Sequence, residues 1–159
     1  MGRRRSTRPS VRWGLSRAEA VKAGYRSTYE YAIALDLQER GIEFEYEAET
    51  YKLYLPATRS YECLSCGMQP VKLTHYTPDF SFFDGKFVVE AKGRFDPQHR
   101  AKALAFVEQH PDIEYALLFE ENNKLSTKSK TRYTEWCGKH GILCDVGLMP
   151  VAWLEGAFE

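Results

Sequence analysis

The chain has no long apolar run. Its most extended ones, Tyr115-Ala116-Leu117-Leu118-Phe119 and Phe87-Val88-Val89, fall far short of the roughly 20 residues that cross a bilayer, so no membrane span is expected. Met1-Gly2-Arg3-Arg4-Arg5-Ser6 fits the loose myristoylation pattern and carries paired arginines, but no apolar segment follows to act as a secretory h-region. Neither export nor lipid anchoring is expected. Net charge is zero, internal repeats are absent, and there are only four cysteines, Cys63, Cys66, Cys137 and Cys144. Without an export signal the expected compartment is the reducing cytoplasm, where these are free thiols or metal ligands rather than disulfides.

What is present describes one globular domain. A length of 159 residues with 43% apolar, 28% charged and 14% aromatic residues excludes disordered, collagen-like and coiled-coil chains. The neutral total hides an uneven distribution. Residues 1–28 hold eight basic side chains (Arg3, Arg4, Arg5, Arg8, Arg12, Arg17, Lys22, Arg26) against Glu19, so the remainder is acidic by the same excess of seven. A basic arm over 1–24 on an acidic body suggests a polyanion partner, while the acids elsewhere are candidates for metal ligation.

Ser27 with Glu30 three positions on reads as a capping box, Tyr29, Ile33 and Leu37 repeat at helical spacing, and Gly41 is a stop, which predicts a helix over 28–40. Ile42, Phe44, Tyr46 and Ala48 alternate with four glutamates as in a strand with one wet face, continuing over 51–55 until Pro56. Residues 57–74, with Gly67, Pro70 and Cys63-x-x-Cys66, read as an inserted loop. Asp96-Pro97 begins a helix that runs to His110-Pro111; Ile113–Phe119 is a buried strand; Thr131 caps a short helix ending near Gly141; Ile142–Trp153 completes the domain, followed by a tail over 155–159.

The most informative stretch is Tyr76-Thr77-Pro78-Asp79-Phe80-Ser81-Phe82-Phe83-Asp84-Gly85-Lys86-Phe87-Val88-Val89-Glu90-Ala91-Lys92-Gly93. Asp84-Gly85 between two β-rich runs predicts a two-residue hairpin turn. The register that sets Phe83 opposite Lys86 also sets Asp79 opposite Glu90, with Lys92 on the same face. Phe80, Phe82, Phe87, Val89 and Ala91 form the other, apolar face, which resists a one-residue slip. Opposed carboxylates are destabilising unless a cation screens them. Hard oxygen ligands few in number suit Mg²⁺ or Mn²⁺, and a neighbouring lysine suits an attacking water or a developing phosphate charge. Metal-assisted phosphodiester hydrolysis is the chemistry this trio fits. The competing reading is a pair of solvated surface acids. Pro78 before Asp79, the register and the order helix, strand, hairpin, helix, strand match the proline-aspartate, acid-x-lysine nuclease motif.

Tyr25-Arg26-Ser27 through Glu30, Gly41-Ile42-Glu43-Phe44-Glu45-Tyr46-Glu47, Tyr76-Thr77-Pro78-Asp79-Phe80, Val89-Glu90-Ala91-Lys92-Gly93, Glu108-Gln109-His110-Pro111, Lys139-His140-Gly141-Ile142 and Pro150-Val151-Ala152-Trp153 together resemble the phage endonuclease I family of Holliday-junction resolvases, over about 25–154. The resemblance implies an α/β, restriction-endonuclease-like core of mixed β-sheet flanked by helices, an intertwined homodimer, and Mg²⁺-dependent paired nicking of branched DNA that leaves 5′-phosphates. No small-molecule organic cofactor is expected. It further implies that Asp79 and Glu90 ligate metal, that Lys92 assists the nucleophile, that Glu30 adds an acid from the first helix, from the partner chain, and that Glu45 has a supporting role. For Glu30 the capping box is the alternative explanation, and for Glu45 a plain solvated strand face.

Two features depart from the family pattern. The link before Thr77-Pro78-Asp79 is longer, and the C-terminus is acidic at Glu155 and Glu159 where the family carries a basic tail. Phosphate contacts are therefore expected from Arg3, Arg4, Arg5, Arg8, Arg12 and Arg26, with Lys124, Lys128, Lys130 and Arg132 as a second basic patch. Cys63-x-x-Cys66 has the spacing of half a zinc knuckle, for which His75, Cys137, Cys144 or the same pair of a second subunit are candidate completions; two unligated thiols are the alternative. A junction-resolving endonuclease leads, ahead of a restriction or transposon-end nuclease on the same core and of a non-catalytic branched-DNA-binding module.

Overall fold

The computed structural model describes residues 13–57, 65–68 and 70–155, which fall into two compact units. Among the described residues the first comprises 13–43 and 148–155. Helix α1 (Arg17–Lys22) is closed at its start by a reciprocal capping box between Ser16 and Glu19. Sequence periodicity did not anticipate it, because a six-residue helix is too short to show an apolar repeat. Helix α2 (Thr28–Glu39) occupies almost the span predicted, with Ser27 as its N-cap and Ile33, Ala34 and Leu37 buried along it. Only half of the expected capping box is present. Ser27 Oγ accepts from the Glu30 amide at 3.1 Å and donates to Glu30 Oε1 at 3.0 Å. Arg40, just beyond α2, donates to the Met149 carbonyl and pairs with Asp36, and a 3₁₀ turn follows at Val151–Trp153.

The second unit, Phe44–Gly147, carries the sheets. Strands β1 (Glu45–Tyr46), β4 (Phe80–Phe82), β5 (Phe87–Lys92), β6 (Glu114–Phe119) and β7 (Leu143–Val146) form a five-stranded mixed sheet in the order β1-β4-β5-β6-β7. The β1-β4-β5 half is antiparallel and the β5-β6-β7 half parallel. Parallel neighbours need crossovers, which α3 (Pro97–Gln109) and α4 (Tyr133–His140) supply. Asp96 caps α3, with Pro97 in its first turn. Gly141, left-handed at φ 65°, ends α4. Ala103 and Phe106 of α3 and Trp136 and Cys137 of α4 join Val88, Leu117 and Phe119 of the sheet in one buried apolar cluster.

The predicted hairpin register is the one observed. Phe80 pairs with Val89, Ser81 with Val88 and Phe82 with Phe87. Asp84 and Gly85 both have positive φ, at 55° and 80°, as a type I′ turn requires, and the Lys86 amide bonds the Phe83 carbonyl.

Three expectations need correction. Residues 71–74 belong to strand β3 (Val71–Tyr76), not to a loop. It pairs antiparallel with β2 (Tyr51–Pro56) as a separate two-stranded sheet, and its first five residues are largely exposed, so the short Val71-Lys72-Leu73-Thr74 alternation lies on no buried face. The long strand over 42–49 shortens to Glu45–Tyr46, because Glu47 turns to φ 48° while its amide bonds the Asp79 carbonyl. The N-cap of α4 is Arg132 rather than Thr131: Glu135 accepts the Arg132 amide at 2.7 Å and sets the helix start one residue later.

The outer edge of β2 is closed by a side chain imitating a strand. Gln109, at the end of α3, accepts from the Tyr54 amide and donates to the Tyr54 carbonyl, both at 2.8 Å, while His110 Nε2 lies 3.1 Å from the Lys52 carbonyl. Gln109→Ala is expected to cost about 1–2 kcal/mol, from two exposed hydrogen bonds at roughly 0.5–1 kcal/mol each, the lower part of the usual range. Amide exchange read by NMR should show Tyr54 exchanging roughly tenfold faster, with the β5 and β6 amides unchanged.

Candidate active site

Strand β5 runs through the middle of the sheet and is buried except near its end. Alternation puts Val88, Glu90 and Lys92 on the face that meets Tyr115, Leu117 and Phe119 of β6. Asp79 stands one residue before β4, at 7% exposure, and Glu90 is at 4%. Solvated surface acids are thereby excluded at both positions. Asp79 Oδ2 accepts from the Ala91 amide at 2.8 Å, which docks its carboxylate against the residue following Glu90. Lys92 Nζ lies 2.5 Å from Glu90 Oε1, with the lysine side chain only 20% exposed. The hairpin therefore brings Asp79, Glu90 and Lys92 together, as its register predicted.

Two residues at this cluster were not anticipated. Tyr76, at the end of β3, donates to Glu90 Oε2 at 3.0 Å, and the Tyr115 hydroxyl is 2.9 Å from that of Tyr76. Burial, first, and then the charge of Glu90 and the neighbouring phenol push Tyr76 well above the ordinary phenol range; burial and then Glu90 do the same to Tyr115. Nothing in the local sequence distinguishes these tyrosines from core aromatics, because β2–β3 pairing brings Tyr76 into place. His99, in the first turn of α3, has a lowered pKa, through burial first and then through the Lys92 cation, partly offset by Asp96.

The other predicted site residues are placed as follows. Glu30 is buried on α2 in the first unit, with Ser27 as a partner. Glu45 pairs with Ser81 on the sheet face shared with Asp79 and is exposed. Lys124, Lys128, Lys130 and Arg132 are all exposed on one segment between β6 and α4, closed by a bridge between Lys124 and Arg132. Arg26 is exposed in the first unit. Arg3, Arg4, Arg5, Arg8, Arg12 and Cys63 lie outside the described residues. Cys66 is exposed, and Cys137 is fully buried in a hydrogen-bonded thiol pair with Cys144 that raises Cys137 and lowers Cys144.

Two buried carboxylates from adjacent strands of one hairpin fit a hard divalent cation chemically. Among the described residues no group of three or more His, Cys, Asp and Glu side chains is built to hold a metal. Mg²⁺ nevertheless commonly takes one or two protein carboxylates and fills its sphere with water and substrate phosphate oxygens.

The phage endonuclease I family model matches residues 11–159. The chain belongs to the phage endonuclease I family. It is 36% identical over 129 residues to endodeoxyribonuclease 1 of Enterobacteria phage T3, covering 80% of this chain and 75% of that protein. It is 34% identical over 132 residues to endonuclease I of Escherichia phage T7, covering 82% and 78% respectively. No helix among the described residues of this family member is long and apolar enough to cross a membrane.

Lys92 screens a buried carboxylate, so its removal should be felt without any substrate. Lys92→Met is expected to destabilise the metal-free protein by about 2–3 kcal/mol in urea unfolding, while Lys130→Met on the exposed segment should change it by less than about 0.5 kcal/mol.

Proposed function

We propose that this phage endonuclease I family member is a structure-specific DNA endonuclease that resolves four-way junctions and other branched DNA, by Mg²⁺- or Mn²⁺-dependent paired hydrolysis, as an intertwined homodimer. The observation that carries the reading is the burial of Asp79 and Glu90 beside Lys92 at the end of a central strand. The names of the T3 and T7 relatives support the endonuclease activity.

A bound divalent cation would supply Lewis acidity toward the scissile phosphate and a water of lowered pKa. Asp79 and Glu90 would hold it, and Glu30 would add a further carboxylate. The Ala91 amide fixes Asp79 by Oδ2. Lys92 pairs with Glu90 in the absence of substrate and would orient the attacking water or meet charge developing on the phosphate. The exposed cations at Lys124, Lys128, Lys130 and Arg132, together with Arg26 and the arginine arm, would bind phosphates without reading sequence, as recognition by branch shape requires. Asp79→Ala, Glu90→Ala or Lys92→Ala should lower nicking of a synthetic four-way junction by at least about 10³-fold, while gel-shift affinity stays within about threefold. Near wild-type cutting by any of the three would remove the trio from the chemistry.

Paired cuts on a two-fold junction call for a two-fold enzyme. By the family resemblance, Glu30 of one chain would act with Asp79, Glu90 and Lys92 of the other. Glu30→Ala and Asp79→Ala homodimers should both be inactive. A verified heterodimer of the two concentrates both lesions in one shared site and leaves the other intact, so single-strand nicking should return. A heterodimer as dead as its parents, beside a wild-type control refolded in the same way, would rule the exchange out.

A further inference from the structure

Phenylalanine would pack as well as tyrosine at positions 76 and 115, so the two hydroxyls need their own explanation. Both rings lie in the apolar cluster against Phe106, at centroid distances of 5.5 Å for Tyr76 and 5.0 Å for Tyr115. Buried phenol oxygens are costly unless bonded. Proton counting fixes the direction of the bonds. An ionised carboxylate only accepts, so the single Tyr76 proton goes to Glu90 Oε2, and the 2.9 Å contact between the phenols must use the proton of Tyr115. The result is a one-way chain from Tyr115 to Tyr76 to Glu90, in which each bond polarises the next.

That chain ends on one oxygen of the Glu90 carboxylate, while Lys92 holds the other. The terminal torsion of a glutamate is broad, and Lys92, on Oε1, is a point charge on a flexible stem. Tyr76 is rigid by comparison. Its ring is held by Phe106, and its backbone ends a strand whose partner β2 is clamped by Gln109. Tyr76 also precedes Asp79 by three residues, so one chain segment delivers both carboxylate settings.

We propose that Tyr76, backed by Tyr115, is a positioning residue that grips Glu90 by Oε2 and fixes the carboxylate plane so that Oε1, shared with Lys92, is the oxygen presented to a divalent cation. This rests on the reading of Asp79 and Glu90 as a cation site. Removing a partner that orients a ligating group typically weakens metal binding by about 10–100-fold. The Tyr76→Phe change should therefore act on the cation and not on DNA.

The test measures Mn²⁺ binding to DNA-free protein by electron paramagnetic resonance, alongside the Mg²⁺ concentration that half-saturates junction cleavage and the junction Kd in the absence of metal. Tyr76→Phe is expected to weaken Mn²⁺ binding about tenfold or more and to raise the half-saturating Mg²⁺ in proportion, with junction Kd unchanged and most of the rate recovered at high Mg²⁺. Tyr115→Phe leaves the bond to Glu90 in place and should weaken Mn²⁺ only about two- to threefold. A merely loosened core would weaken Mn²⁺ binding as much in Tyr115→Phe as in Tyr76→Phe, since both rings pack on Phe106. Wild-type protein that binds Mn²⁺, beside a folded Tyr76→Phe that binds it equally well, overturns the positioning role and leaves the cation site standing. Wild-type protein that binds no Mn²⁺, or binds it undiminished after Asp79→Ala and Glu90→Ala together, overturns the cation site and the positioning role with it. Should circular dichroism show Tyr76→Phe unfolded, Tyr115→Phe decides, and unaltered Mn²⁺ affinity there is the contrary result.

Discussion

A carboxylate placed in the middle of a sheet must be given partners, and the surroundings of Glu90 are arranged by that requirement. Left alone, a buried charge costs several kcal/mol, more than most single interactions recover. Lys92 reaches it from two residues along the same strand, which alternation guarantees, and Tyr76 reaches it from a different sheet. The second contact is the demanding one, since it exists only while β3 is paired to β2, β2 is held to the end of α3, and Phe106 supports both phenol rings. The hairpin β2–β3 and the helix α3 are in this sense parts of the site, though neither contributes a carboxylate.

Under the function proposed above, the same burial would separate two tasks. The acids and Lys92 lie within the second unit at the end of its central strand, while the exposed cations between β6 and α4 stand on a surface segment. Chemistry at a phosphate and docking of a polyanion make opposite electrostatic demands, since carboxylates repel the strand they cut. Placing them on different elements lets substitutions at one leave the other intact.

Much of this was readable from residue order where the causes are local. The Asp84-Gly85 turn allowed one register, and that register placed Asp79 by Glu90; Asp96-Pro97 started α3 and Gly141 ended α4 for equally local reasons. What escaped depends on distant partners. Strand β3 is defined by pairing to β2 rather than by its own largely exposed side chains, and β1 is cut short because Glu47 bends toward Asp79. Tyr76 and Tyr115, 39 residues apart, meet only once both sheets and α3 are assembled. Glu30 was legible as a residue of interest, but its bond to Ser27 shows that a capping motif and a candidate site residue can occupy one position.

We propose that Asp79, Glu90 and Lys92 form a cation-dependent phosphodiester-cutting site directed at branched DNA. The most direct measurement is cleavage of a synthetic four-way junction and of its separate linear arms by purified wild-type protein, with Mg²⁺ and with excess chelator. Paired nicks are expected in the junction only when Mg²⁺ is present, with 5′-phosphate ends and little cutting of the linear arms. Cleavage that persists in chelator, equal cutting of the linear arms, or junction binding with no nicking at any Mg²⁺ concentration would contradict it.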